Sequence, residues 1–410
     1  MRLLQINCWY DKGSTGKIVQ SIQKYAIKHG HEVYVAYGMG KKSKSPYAFR
    51  VTSWIVRKVQ SFCTRITGYP YGDCLWGTFN IIRFIKKINP DIVHIQCING
   101  YMVNIYKVLE FLKINDIPTV ITNHAEFMYT GGCVHAVECT QWKSGCHHCN
   151  KIGKEHPKSY FFDRTEKEWK LMRAAYKGFK YLYICNVSDW LSDRARQSPF
   201  YEHFNVKTVM NGLDTNIFHY QMSDKYKLKN QYCQDGKKIV IHVTPSFDNP
   251  IKGGKHVVKM AKKFPDVDFL VVGDVQKKCQ YPENLKLIGH VENQNLLAAF
   301  YALGDVCLLT SLRETFSMVT AESLACGTPV VGFKAGGPET IALPAYSSFV
   351  EQGDDEKLGK QLYNMLSKKY DKRQISMEAV KTYSDQIMCR NYFQIYEELL
   401  STSRSKHFCR

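Results

Sequence analysis

The sequence predicts an α/β protein of two domains, each a doubly wound parallel sheet. Three observations carry this. Apolar strand-like runs alternate with amphipathic helix-like stretches along the whole chain, the pattern of βαβ units. The 410 residues exceed what one ordinary core takes in. The alternation also falls into two series, parted by a polar, charged stretch at 224–235 that suits a linker or surface excursion.

In the first series residues 2–8 form an apolar strand, followed by a polar loop holding Gly13 and Gly16 and an amphipathic helix that stops at Gly30. Strands follow at 31–37, 91–97, 119–123 and 181–187, with helices at 103–115 and 166–177. The second series places strands at 239–244, 268–272, 285–288, 306–310 and 329–332, and helices at 254–263, 296–303, 316–326 and 357–366. A last amphipathic helix spans 383–400 and leads into a basic tail. The expected domains are therefore 1–210, carrying a cysteine-rich insertion at 131–150, then 211–382, with 383–410 as a closing helix and tail.

Charge is uneven. Residues 1–200 carry 29 Lys/Arg against 14 Asp/Glu, a net of +15, and residues 201–410 carry 27 against 23, a net of +4. A basic first half suits an anionic partner, either nucleic acid or an anionic membrane surface, and equally a basic solvated surface. No run approaches the ~18 apolar residues of a membrane span. The opening strand is too short for a secretory signal, so a cytoplasmic chain is expected. Most of the 15 cysteines sit inside apolar runs, as small buried hydrophobes do in a reducing compartment.

The most informative motif joins Glu314 and Glu322, around Ser311-Leu-Arg-Glu314-Thr-Phe-Ser-Met-Val-Thr-Ala-Glu322. It reads as a strand end, a short turn and a helix about two turns deep at Glu322. The amides of Thr315, Phe316, Ser317, Met318 and Val319 then lie at a helix N-terminus, which favours phosphate. Two acids that hold hydroxyls beside an amide nest that holds a diphosphate describe a nucleotide-sugar site. Earlier, Lys252 precedes Gly253-Gly254 at a helix start, placed to neutralise such a diphosphate. Gly13-Ser14-Thr-Gly16 opens another helix and permits close backbone approach, although a ligand-free turn fits as well. It is not a Walker A loop, because the spacing to Lys17 is too short and Ile18 follows. Cys133, Cys139, Cys146 and Cys149 fall within 17 residues, a spacing that can close a tetrahedral structural zinc site; reduced thiols or two disulfides are the alternatives. His135, His147 and His148 are spare ligands.

Together, Asp305-Val-Cys-Leu-Leu-Thr310, the Glu314/Glu322 segment, Gly327-Thr-Pro-Val-Val-Gly332 and Gly336-Gly-Pro-Glu339 resemble the carboxy-terminal signature of the retaining glycosyltransferases of family 4. The resemblance is strongest over 239–340 and continues over 2–30 and 118–214, where Asn211-Gly-Leu-Asp214 resembles a family turn. The segment from Thr122-Asn-His124 to Cys149 is similar to a subgroup acting in exopolysaccharide, capsule or colanic-acid-type biosynthesis. The resemblance implies the GT-B fold, two Rossmann-like domains facing across a cleft. It implies that His124 touches the transferred sugar and that Glu314 holds donor-sugar hydroxyls and steadies positive charge at the anomeric carbon. Glu322 would take the ribose hydroxyls, and the leaving diphosphate would lie against Lys252 and the amides near Phe316–Met318. The Gly13, Ser14 and Gly16 loop would meet donor phosphates or acceptor.

Configuration would be retained, with no metal or other cofactor in the chemistry. The implied partners are a UDP- or GDP-sugar donor, a glycan or lipid-linked glycan acceptor, and an anionic membrane surface on which the chain is peripheral. Two departures stand out. Ala125 and Glu126 stand where many relatives have Asp after the histidine, so Glu126 is a candidate for that role. Ser246 and Phe247 stand where an Arg usually precedes the lysine, leaving Arg313 as a substitute. Rival readings keep the fold with a soluble sugar-phosphate or small-molecule acceptor, or make the chain a zinc-bearing nucleic-acid binder. The retained Glu pair argues against the latter, so no nucleic-acid partner is expected.

Overall fold

The structure, a computed structural model, describes residues 1–221, 225–276 and 280–405. It divides into two compact units. The first takes Met1–Val209 together with the chain from Met388 on, and the second takes Met210–Ile387.

The first unit is a seven-stranded, all-parallel sheet. Its strands are β1 (Arg2–Trp9), β2 (Glu32–Met39), β3 (Ala48–Arg50), β4 (Ile92–Ile95), β5 (Thr119–Asn123), β6 (Leu182–Asn186) and β7 (Asn205–Thr208), in the order β3-β2-β1-β4-β5-β6-β7. Helices α1 (Gly13–Lys28), α2 (Trp54–Thr67), α3 (Leu75–Ile88), α4 (Ile105–Ile114), α5 (Thr165–Tyr176) and α6 (Asp189–Arg196) connect them. Residues 3–8 of β1 are all buried, as a strand covered on both faces must be. The strand order reverses between β1 and β4, so the loops after these two strands flank a crevice of the kind where open α/β sheets take ligands.

The second unit holds β8 (Lys238–Ser246), β9 (Val267–Asp274), β10 (Leu285–Gly289), β11 (Val306–Leu309), β12 (Val330–Phe333) and β13 (Ser347–Val350), again all parallel, in the order β10-β9-β8-β11-β12-β13. Its helices are α7 (Lys225–Tyr232), α8 (Gly254–Lys263), α9 (Gln294–Leu303), α10 (Met318–Ala325), α11 (Gly337–Ile341), α12 (Asp355–Ser367) and α13 (Lys372–Tyr383). Here the order reverses between β8 and β11. Helix α14 (Asp385–Ser405) follows; its Met388, Tyr392, Ile395 and Tyr396 pack with Leu3, Ile22, Ile92 and Val120 in the first unit's core.

Several boundaries differ from the sequence reading. The expected linker contains α7, with Asp224 itself outside the described residues. The expected final helix at 383–400 is α14, from Asp385 to Ser405, and the helix ahead of it, α13, which ends at Tyr383, had no counterpart in the sequence reading. The helix expected from Phe316 starts at Met318, because Ser317 adopts the left-handed φ of 81° and caps it, its Oγ accepting from Thr320 N at 3.2 Å. Glu322 therefore lies about one turn into α10. No helix among the described residues is long and apolar enough to cross a membrane.

Candidate functional site

In the second unit the loops after β8 and β11 are laced together. Thr310 Oγ1 donates to Lys252 O at 3.0 Å, and Leu312 N donates to Ile251 O at 2.8 Å. Gly253 has φ 70°, and a Cβ there would sit 2.1 Å from Thr310 O, so only glycine lets the lysine turn close on the end of β11. Glu314 is anchored by its own backbone, with N donating to Ala335 O at 2.9 Å and O accepting from Gly337 N at 2.8 Å. Gly337 is pressed against the same turn; a Cβ on it would lie 2.5 Å from Thr315 C. Rigid backbone thus presents both side chains, and Lys252 Nζ donates to Glu314 Oε1 at 2.6 Å. With exposures of 22% and 21%, the pair is open enough for an incoming ligand to exchange partners with it.

One turn along α10, Glu322 Oε2 accepts from Tyr301 OH at 3.0 Å. Burial and the Glu322 charge raise the Tyr301 phenol well above its usual range and keep it a donor. Between the two acids, the amides of Met318 and Val319 open the helix, where no intrahelical acceptor exists. The structure thus brings Lys252, Glu314, Thr315, Phe316, Ser317, Met318, Val319 and Glu322 to one end of one sheet, at the strand-order reversal. Phe247, at a position where the family has Arg, is buried in the unit's core instead. Arg313 is part-exposed beside Glu314. Sequence reasoning missed His242 on β8. Its Nδ1 donates to Leu308 O at 2.9 Å, and its buried Nε2 has no partner among the described residues. The signal was a polar residue inside an apolar strand.

In the first unit Gly13, Ser14 and Gly16 form the first turn of α1 rather than a loop ahead of it. His124 follows β5, and its Nε2–H donates to Gln96 Oε1 at 2.8 Å. Gln96 Nε2 in turn donates to His94 Nδ1 at 3.3 Å, which also accepts from Tyr396 OH at 2.6 Å. His94 Nε2–H donates to Thr122 Oγ1 at 2.8 Å, whose hydroxyl donates to Tyr392 OH at 3.1 Å. A buried chain of polar groups therefore orients His124 from β4, β5 and α14. His94 and Gln96 carried the same missed signal as His242.

Burial lowers His124 to about 4, His94 to about 3 and His242 to about 4. The unfolded chain would protonate these rings near 6.5, so each removes up to about 1.4 kcal/mol of stability per pH unit as the pH falls from there toward its folded value. The buried His156–Glu168 pair, 2.7 Å apart, works in the opposite direction. Burial raises Glu168 to about 7, and contact with Glu168 raises His156 against its own burial. We expect these three imidazoles to stay neutral at pH 6 by NMR while the denaturation midpoint falls between pH 6.5 and 4.5. Titration of all three near pH 6.5 would contradict the buried network.

Glu126 is fully buried and fully engaged. Its Oε1 accepts from Arg194 Nε at 2.6 Å and Tyr129 OH at 2.9 Å, and its Oε2 accepts from Ala136 N at 2.6 Å. It is a structural anchor of the cysteine-rich loop, not a carboxylate offered to a ligand. Trp142 supplies the loop with a core. It is fully buried, edge-on to Tyr129 at 5.4 Å, with Nε1 donating to Cys139 O at 2.7 Å. Within the loop the Cys133 and Cys149 thiols are hydrogen-bonded, and that contact lowers Cys149 to about 6. Cys146 packs on Gly131. Four thiols suit zinc as donors, yet among the described residues no three His, Cys, Asp or Glu side chains are grouped so as to hold a metal ion. Zinc here is a proposal resting on spacing alone.

The model of the family described as "Glycosyltransferase Family 4" matches residues 15–217, and that of "Glycosyl transferases group 1" matches residues 242–368. Between them they take in most of the chain, and the protein belongs to the glycosyltransferases of this family. A curated relative, N-acetyl-alpha-D-glucosaminyl L-malate synthase of Bacillus anthracis, is 29% identical over 207 residues, covering 48% of this chain and 53% of that protein. The match thus spans about half the relative's length. The solved sucrose-phosphate synthase of Thermosynechococcus elongatus is similar in fold, with a TM-score of 0.69 at 15% identity, covering 98% of this chain and 100% of that one. HepE of Anabaena, solved in complex with UDP, gives 0.64 at 15% identity, covering 97% and 100%. These likenesses establish the GT-B fold, two parallel-sheet α/β domains.

Proposed function

We propose that the protein moves a hexose from a nucleoside diphosphate sugar to a growing, lipid-linked glycan of a surface polysaccharide, at the cytoplasmic leaflet of the plasma membrane. The observation that carries the donor half is the Lys252–Glu314 pair at the reversal point of the second sheet, with Glu322 one turn along α10. The diphosphate takes Lys252 and the amides of Met318 and Val319, which releases Glu314 from its lysine. Glu314 then holds donor-sugar hydroxyls and stabilises charge at the anomeric carbon, while Glu322 binds the ribose. His124, neutral and fixed by Gln96, touches the transferred sugar. Arg313 supplies the second cation that Phe247 does not. The rate gain is electrostatic, from groups already held in place. In this reading configuration is retained, the leaving phosphate taking the acceptor's proton.

A second reading takes a small soluble acceptor, and the name of the malate-glycosylating relative favours it. Labelled UDP- and GDP-sugars offered with a lipid-linked glycan fraction and with soluble hydroxy acids and sugar phosphates separate the two. Label extracted into organic solvent is the expected result. Label confined to a water-soluble product would overturn the lipid-linked acceptor and leave the donor site standing.

A further inference from the structure

An amphipathic helix beside a core normally turns its apolar stripe inward. Helix α2 does the opposite. Its one buried residue is Thr64, while Trp54, Ile55, Val59, Phe62 and Ile66 are exposed, Trp54 by 64% and Phe62 by 60%. Residues 55, 59, 62 and 66 follow i, i+4, i+7, i+11, a single stripe. Helix α3 buries Ile81, Ile85 and Ile88 but exposes Leu75, Trp76 and Phe79 at its start, and Tyr160, Phe161 and Phe162 are exposed beyond them.

These elements adjoin. Tyr160 N donates to Arg65 O at 2.7 Å, and Thr67 Oγ1 donates to Asp73 Oδ2 at 2.8 Å. A Cβ on Gly68 would lie 2.4 Å from Phe162 O, so the 160–162 segment crosses the very end of α2. The charge is nearly all of one sign. Residues 53–88 hold Arg57, Lys58, Arg65, Arg83, Lys86 and Lys87 against Asp73 alone. Cations sit over the exposed rings: Lys58 over Trp54 at 5.5 Å, Lys158 over Tyr160 at 5.3 Å and Arg164 over Phe162 at 4.9 Å. The region also borders the binding end of its sheet. Arg57 Nε donates to Gly100 O at 3.0 Å, and Gly77 packs on Met102 O, both in the loop after β4.

We propose that α2, the start of α3 and Tyr160–Phe162 form the face by which the first unit docks on an anionic lipid bilayer. Exposed tryptophan and phenylalanine interleaved with cations suit the headgroup boundary, where rings enter the acyl edge and lysine and arginine meet lipid phosphate. Charge sign selects the bilayer over a second copy of the chain, which would meet the same positive face. The proposal rests on the reading of a lipid-linked acceptor, which such docking would bring to the β4 loop.

The test is co-sedimentation of the full chain with vesicles of phosphatidylcholine alone or with about a third phosphatidylglycerol, a composition that gives a negative surface. Wild type should bind the anionic vesicles at least about tenfold more tightly, in a salt-sensitive way, since each cation near such a surface contributes. Trp54→Ser with Phe62→Ser and Trp76→Ser should lose at least about tenfold of that binding, since apolar burial carries the rest. Phe79→Ser with Phe161→Ser is an independent second variant, and a wild-type thermal melting midpoint and near-UV circular dichroism spectrum show that each variant is folded. Equal vesicle binding by wild type and both variants, no binding by wild type, or concentration-dependent dimerisation lost in the variants would overturn the proposal. Docking as predicted together with label found only on soluble acceptors would uphold the face and sink the acceptor reading.

Discussion

Glu314→Gln should reduce sugar transfer by at least about a thousandfold, the scale of losing a preorganised charge-stabilising group. The fold should be unaffected. Glu314 holds its turn through backbone bonds to Ala335 and Gly337, which the substitution leaves in place. Its side chain has Lys252 as partner at 2.6 Å, and a part-exposed ion pair is worth about 1 kcal/mol or less. Steady-state transfer measured beside a thermal melt separates the two effects. Turnover within a few-fold of wild type would remove Glu314 from the chemistry. A collapsed melting temperature would show that the pair is structural, contrary to its exposure.

Much of this was legible in the sequence because parallel strands covered on both faces leave uninterrupted apolar runs. Strand β5 and helix α8 have the bounds that pattern implies. The stretch from 40 to 90 was not legible. β3 is three residues long, and α2 and α3 turn large apolar residues outward, so their pattern does not mark a core. Within the site, each of Lys252, Glu314 and Glu322 could be named from its local motif. The ion pair between residues 62 apart could not, since only the β8–β11 pairing brings those loops together. Glu126 shows the reverse failure. A carboxylate two residues after His124 reads as a ligand-facing group, and its burial against Arg194, from a helix 68 residues away, is a tertiary fact. In the cysteine-rich loop the spacing of the four cysteines was legible and the packing around them was not. One fully buried tryptophan, Trp142, and that buried carboxylate pack and hydrogen-bond within it.

The central claim about this molecule is that its second unit binds a nucleotide sugar. The most direct measurement is calorimetric titration of the full chain with UDP and GDP, and with their sugars, in wild type and Glu322→Ala. One of the two bases should bind selectively. Loss of the Glu322 carboxylate should weaken that binding by about 10- to 100-fold, the worth of one or two charge-assisted hydrogen bonds to a ribose. Tyr301, left without its acceptor, is too deeply buried to replace it. Binding of neither diphosphate, or equal binding by both proteins, would contradict the assignment of Lys252, Glu314 and Glu322 to a donor site.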